Sequence, residues 1–514
     1  MGLLPAGVWR VDVLVLLSYQ MCHFFSIQQV FPIFLNYTPK TTCVGERCYY
    51  VPKNKCMDCP ECPDLCANAT DLAKRECVET YSHKYYESAA MEFDIFCKPG
   101  YRDFRPAFVQ YVGVLIGNII LGVVADKIGR RKTFLLSLFI GIPALFASGL
   151  VNSILAFYLL RMVTGFGIAG SMIVGFAYFS ELVSAHQRFK LRTFSNWANA
   201  RLMLTLVCLF TGEWRLSSYV SAVISLITFA IVWLVLPESH IWLKRMGRFE
   251  EAEESRKRLA ALAGIPFEPQ PLPEETKNSS APEQKSNIMS VFKDSTLRRN
   301  ILVLWCAWGV VGCSVYLTDL SGGDMSKNFW VGQFLSSILL SSVRIVLGFA
   351  DGYLPWMGRR FILLASQGLA IVFFVFVTLF LMLGLKGEWY YTAVYLAAFV
   401  FISICWEPCY LCASELMPTD VRATSTASCS IIGRIANILA SMLTSLKTVY
   451  EPGIHMISIG VGLINLLVAY FFLQETKNCN LEQSGKNVKT EEPANAVEMA
   501  DLLEKEKHED EKAK

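Results

Sequence analysis

Four arginines, Arg161, Arg201, Arg344 and Arg434, stand inside long apolar stretches, with Glu407 and His23 as the other conspicuous ionisable groups there. A charge in such surroundings is expensive in lipid, so each is expected to face a cavity or a partner. Their chemistry is recognition rather than bond-making. A guanidinium clamps a carboxylate or sulfonate through two parallel hydrogen bonds, so an excess of Arg over carboxylate favours an anionic or zwitterionic ligand. Glu407 leaves room for a cation, or for a structural bridge to Arg344. Arg201 follows Arg188 at almost the spacing at which Arg434 follows Arg422, which puts both at similar depth and lets them face each other across a pore. Aromatic side chains would complete such a pocket by stacking, with Trp308 and Tyr316 the main candidates and Trp330, Trp406, Tyr178, Trp197 and Phe25 weaker ones. His23 reads as a packing residue. The chain carries no P-loop, no HExxH and no nucleophile constellation, which argues against an enzyme or an ATP-driven pump. No metal or cofactor is expected.

A second group of charges is compact. Gly122-Val-Val-Ala-Asp126-Lys-Ile-Gly129-Arg130-Arg131-Lys132 lies between two apolar runs, and Gly348-Phe-Ala-Asp351 with Gly358-Arg359-Arg360 repeats that grammar half a chain later. Ser180-Glu181-Leu182 followed by Arg188 returns as Ser414-Glu415-Leu416 followed by Arg422, and Pro237-Glu238-Ser239 returns as Gln474-Glu475-Thr476. Three landmarks recurring in one order imply an internal duplication. At helix ends, Asp126, Glu181, Asp351 and Glu415 with Arg130, Arg131, Arg188, Arg359, Arg360 and Arg422 would form a network that closes one face and breaks when it opens. The bland alternative is that these charges only fix topology.

The elements that must position these groups are membrane spans. A chain of 514 residues with 53% hydrophobic and 18% charged residues is too apolar for an ordinary soluble protein. Apolar runs long enough for a bilayer core fall near 11–31, 106–125, 133–151, 155–178, 193–211 and 217–236, then 301–319, 329–350, 361–385, 389–412, 423–447 and 454–473. The expectation is an all-α membrane protein of twelve transmembrane helices in two pseudo-symmetric six-helix bundles. Loops rich in Arg and Lys alternate with loops nearly free of them, which places both termini in the cytoplasm. Residues 1–236 form the first bundle, 237–299 a cytoplasmic linker with a surface helix, 300–474 the second bundle, and 475–514 an unfolded tail. The first run reads as a retained helix rather than a cleaved signal.

Within the first bundle, a polar loop at 33–105 carries Cys43, Cys48, Cys56, Cys59, Cys62, Cys66, Cys77 and Cys97. On the extracellular side an even set of clustered cysteines reads as disulfides, with pairing left open; a zinc site on Cys56, Cys59 and Cys62 is the lesser reading. Asn68 and Asn36 head glycosylation sequons on the same side.

Taken together, Gly122-x3-Asp126-x2-Gly129-Arg130-Arg131, the Pro237-Glu-Ser…Trp242-Leu…Gly247-Arg…Glu251-Ala run and Glu415-Leu-x-Pro418-Thr419-x-Val-Arg422 resemble the major facilitator superfamily. Within it, the cysteine-bearing loop resembles the organic cation, anion and zwitterion (carnitine) transporters rather than sugar porters. Departures are Ile241 where Arg is usual, Gln474 in place of Pro, and a long Asp351-to-Gly358 turn. The resemblance implies the major facilitator fold, gating roles for the charges named above, and Arg434 at the position that anion and carnitine carriers fill with Arg and cation carriers with Asp. Trp308 matches a cavity-lining aromatic, and Leu339 falls about where cation carriers place a Glu. The expected function is secondary-active or facilitative alternating-access transport of a small organic ion, anion or zwitterion favoured. A cation carrier, a non-transporting receptor or adaptor on the same scaffold, and a sugar-porter-like carrier are the alternatives. Expected partners are the small organic ion and the lipid bilayer, with any coupling ion unidentified and no nucleic acid. The expected location is the plasma membrane.

Overall fold

The computed structural model describes residues 8–37, 41–44, 47–50, 86–93, 105–183, 195–264, 267, 288–326, 328–354, 356–417, 419–444, 446 and 450–476. Among them, eleven helices are long and apolar enough to cross a membrane, and one shorter apolar helix completes two sets of six. Span 1 runs from Val8–Ser26 through a 3-10 turn, Ile27–Gln29, into Pro32–Leu35. Span 2 is Pro106–Ile128 and span 3 Arg130–Ser148; span 4 combines Ile154–Gly170, a π-turn at Ser171–Gly175 and Phe176–Leu182. Spans 5 and 6 are Trp197–Thr211 and Trp214–Leu234. The second half comprises Ser295–Ser321, Phe329–Tyr353, Arg359–Met382, the pair Trp389–Ile404 and Trp406–Glu415, Thr419–Leu443 and Glu451–Phe472, spans 7 to 12.

Three departures from the sequence expectation have a local reason. The Asn196 side chain accepts from the Asn199 N–H at 2.9 Å and so starts span 5 at Trp197. Fifteen residues rise only about 22 Å, short of a hydrocarbon core of about 30 Å. Asp294 caps Thr296 at 2.7 Å and adds a turn and a half to the start of span 7. Span 10 breaks at Cys405, and Pro408 just beyond has no N–H to return to the Ile404 carbonyl.

Each half has its own core. In the first, Tyr19, Phe25, Phe134 and Tyr178 belong to one buried cluster; in the second, Trp308, Leu363, Phe374 and Met417 belong to another. Spans 2 and 4 meet closely because both offer glycine at the contact: a Cβ on Gly113 would collide with the Met162 carbonyl, and one on Gly165 with the Gln110 carbonyl. The end of the bundle carrying the Gly-Arg-Arg turns is called the motif end below, and the opposite end, from which the 33–105 loop leaves, the loop end.

From that loop, a hairpin of Thr41–Val44 (β1) and Arg47–Tyr50 (β2) sets Cys43 opposite Cys48 on the backbone; Cys56, Cys59, Cys62, Cys66, Cys77, Cys97 and Asn68 lie outside the described residues, while Asn36 is exposed. The loop's last described piece returns to the bundle. Glu87 bridges Glu213, and the Tyr86 hydroxyl lies 3.0 Å from Ser217 Oγ. In the linker, Phe249–Ala263 turns Ala252, Ser255 and Ala263 inward, and Ser255 Oγ donates to the Glu238 carbonyl at 2.6 Å.

Candidate functional site

Between the halves lies a cavity of about 160 Å³. Span 1 contributes Tyr19 and His23, span 4 Met172 and Phe176, and the entry to span 5 Asn196 and Trp197. From the second half come Tyr316 and Asp319 of span 7, Arg344 of span 8, Trp406, Glu407 and Tyr410 of span 10, and Arg434 of span 11. The two local irregularities are used here. Met172 lies within the π-turn and Phe176 directly follows it, and Trp406 and Glu407 open the second half-helix of span 10.

The structure separates the sequence-designated charges. Arg434, only 6% exposed, and Arg344 line the cavity together with Glu407. The Arg434 guanidinium stands against the Tyr316 phenol. Arg201 is buried behind the wall instead of facing Arg434 across open space: its Nη1 donates to Asp319 Oδ1 and its Nη2 to Gln333 Oε1 at 2.7 Å. Arg161 donates to the Gln28 carbonyl at 3.2 Å and to Gln110 Oε1 at 2.5 Å, beside Phe31, and so ties spans 1, 2 and 4. Tyr316 and Trp197 reach the cavity; Trp308 does not. Its indole N–H donates to the Cys409 carbonyl at 3.2 Å, and its ring backs Trp406 and Tyr410 at 5.4 and 4.5 Å, so it buttresses the lining residues from behind. Tyr178 and Phe25 are buried core residues, and Tyr178 donates to the Pro237 carbonyl at 2.6 Å. Leu340, one residue past Leu339, faces the cavity.

Towards the loop end the halves are sealed by aromatic rings. Phe34 meets Phe329 at 5.5 Å and Trp330 at 6.1 Å, and Tyr86 meets Trp330 at 6.0 Å. Deeper in, Tyr111 and Tyr316 touch at 5.5 Å, and Ser341 Oγ donates to Asn199 Oδ1 at 2.6 Å.

At the motif end the described ion pairs stay within their own half. Arg130 pairs with Asp126 at 2.7 Å and reaches Glu181 at 3.6 Å; Arg359 reaches Glu415 at 3.7 Å. Asp126 is 65% exposed, so its pair contributes about 0–1 kcal/mol. Arg131 Nη2 donates to the Trp233 carbonyl at 2.6 Å and Arg360 Nη2 to that of Tyr470 at 2.5 Å, each tying the third helix of its half to the sixth. Arg188 and the side chains of Asp351 and Arg422 lie outside the described residues.

Two carboxylates that sequence reasoning passed over complete this symmetry. Glu238 Oε1 accepts from the Arg131 N–H at 2.8 Å, and Glu475 accepts from the N–H groups of Arg359 at 2.7 Å and Arg360 at 3.1 Å. Each places a negative charge on a helix N-terminus. Their neighbours follow suit, since Ser239 Oγ donates to Glu181 Oε2 and Thr476 Oγ1 to Glu415 Oε2. Gly129, at φ 123°, gives Glu238 its approach, because a Cβ there would stand 2.6 Å from Oε2. The recurring Glu was the available signal. Replacing Glu238 or Glu475 with Gln is expected to cost about 1–3 kcal/mol each, typical of a hydrogen bond to a charged group. The losses should add in the double variant, read as thermal unfolding of the purified protein.

Comparison with known proteins adds three findings. A family model described as sugar (and other) transporter matches residues 69–487. The chain is similar to the uncharacterized protein F23F12.3 of Caenorhabditis elegans, 28% identical over 94% of this chain and 97% of that one, and to solute carrier family 22 member 7 of Mus musculus, 26% identical over 79% and 75%. It also resembles a partially occluded inward-open structure of the xylose transporter XylE from E. coli, with a TM-score of 0.60 at 14% identity, covering 93% of this chain and 100% of that one.

Proposed function

Since the chain belongs to the sugar (and other) transporter family of the major facilitator superfamily, as a multi-pass membrane carrier of the solute carrier 22 type, we propose that its cargo is a small organic anion or zwitterion. Transport proceeds by alternating access, with the cargo held between the halves. The observation that supports this reading is Arg434, buried on the cavity wall beside Tyr316. The wall also carries Arg344, Glu407 and Asp319. Because Asp319 is engaged by Arg201, two guanidinium groups stand against one carboxylate in the space a ligand would use. A carboxylate on the cargo would take the fork of Arg434, and the rings of Tyr19, Trp406 and Tyr410 would hold its apolar part. The Lys- and Arg-rich motif end is assigned to the cytoplasm and the loop end to the exterior of the plasma membrane, so the sealed loop end makes this an inward-facing arrangement. On this assignment the loop cysteines form disulfides, and Asn68 and Asn36 accept glycans.

Glu407, among Trp406 and Tyr410, favours a second reading, a cation carrier, because those rings could cover a quaternary ammonium. The discriminating experiment is uptake in oocytes expressing the full chain, with labelled benzoate, glycine betaine and tetraethylammonium. Accumulation of benzoate or betaine is the expected result. Accumulation of tetraethylammonium alone would replace the first reading by the second.

A further inference from the structure

Asp319 and Arg201 belong to opposite halves, one in the last turn of span 7 and the other near the start of span 5. Both are nearly without solvent, 4% and 2% exposed. Arg201 is held on its other side by Gln333 of span 8 and lies over the Phe399 ring at 5.2 Å. Asp319 lines the cavity and Arg201 does not, so one member of the pair can exchange with cavity water while the other is walled in.

Opening the loop end requires span 5 to leave spans 7 and 8 at this level. Separation strands two desolvated charges, which is strongly unfavourable because neither regains its water. Arginine cannot shed its proton in a protein, whereas a carboxylate can gain one. The inexpensive route to separation is therefore to neutralise Asp319. We propose that Asp319 is a proton-coupling site, protonated when the halves part at the loop end and deprotonated when Arg201 returns. The step balances simply: as the halves part and the ion pair separates, one proton from the loop-end solution forms the Asp319 O–H bond, leaving the carboxyl neutral while Arg201 stands away. When the pair reforms, that proton passes to water in the cavity, which lies on the motif side of the aromatic contacts among the described residues. A monoanionic cargo moving with it would make the cycle electroneutral. The inference rests on the transport reading above, but not on which cargo is carried.

The other groups facing Asp319 narrow the assignment. Tyr111 of span 2 and Tyr316 of its own span face it, as does Arg434 of span 11 through Tyr316; His23, Arg344 and Glu407 share the cavity. Of these, only His23 ordinarily titrates near neutrality, so it is the necessary control.

The test needs no known cargo. Hydrogen exchange of the segment 325–333 in the purified full chain, corrected for the intrinsic pH dependence of amide exchange, reports opening of the aromatic seal. Between about pH 8 and about pH 5.5 its protection should fall several-fold in the wild type and in His23→Gln. In Asp319→Asn it should be low and independent of pH. Arg201→Gln, which leaves the carboxylate without its partner, should shift the response to higher pH. A seal indifferent to pH in the wild type, an unchanged pH response in Asp319→Asn, or loss of the response in His23→Gln would each overturn the proposal. In proteoliposomes, an inward proton gradient should also accelerate benzoate uptake several-fold. If exchange responds as expected but none of the three labelled probes enters, the cargo reading fails and the proton site stands.

Discussion

Arg434→Ala is expected to reduce the initial rate of benzoate uptake about a hundredfold at low concentration, with surface expression unchanged. The magnitude follows from the loss of a charged, two-pronged hydrogen bond in a site with little water, worth about 2–4 kcal/mol when one partner is truncated. Arg434 is 6% exposed and stands against Tyr316, so solvent cannot replace its charge. Arg434→Lys keeps the charge and loses the planar fork, and should fall between the two. Arg434→Asp should discriminate against anions and admit tetraethylammonium, since the wall would then hold Arg344 against Glu407 and a new carboxylate. Initial rates normalised to biotinylated surface protein measure all three. Unchanged benzoate uptake in Arg434→Ala would remove the charge from the recognition site.

The second large effect is on folding. Gly165→Ala should leave little folded protein, well under a tenth of the wild-type yield as a monodisperse chromatographic peak. Its added Cβ meets the Gln110 carbonyl, a backbone atom of the neighbouring helix that can yield only if the whole of span 2 moves. Overpacking of this kind costs about 1–3 kcal/mol or more. Here it also pulls Gln110 away from two partners, because the Gln110 side chain accepts from Arg161 at 2.5 Å and donates to the Gln28 carbonyl at 2.7 Å. A buried guanidinium would lose a partner in the same event. Gly122→Ala is the control. Gly122 belongs to the repeated charge motif, yet nothing lies within 4 Å of the Cβ it lacks, so yield and thermal stability should hold.

The contrast shows what a linear reading conveys. Span positions and the internal repeat follow from hydropathy and spacing, which depend on neighbours in the chain. That Arg434 needs a cavity or a partner was likewise legible, because a lone charge deep in an apolar run is costly in lipid. Which of the two it reaches was not. Arg201 has the same surroundings in sequence, but its partner Asp319 is 118 residues away and falls where the seventh run was expected to end, a place where a charge draws no notice. Trp308 and Tyr316 differ by rotation about one helix: two turns apart, one supports the cavity from behind and the other enters it. Helix rotation is set by packing against spans distant in sequence, and no period in the chain encodes it. The caps Glu238 and Glu475 were visible as a repeat, but their partners, the N–H groups of Arg131, Arg359 and Arg360, lie more than a hundred residues away.

The return of the loop at Tyr86 has a mechanical corollary. Its ring is wedged against Trp330 of the opposite half while its hydroxyl is moored to Ser217 of its own, so the strap and the gate it crosses cannot move independently. An antibody or clamp that immobilises the segment Tyr86–Phe93 would therefore arrest the carrier from a distance, without ever entering the cavity between the halves.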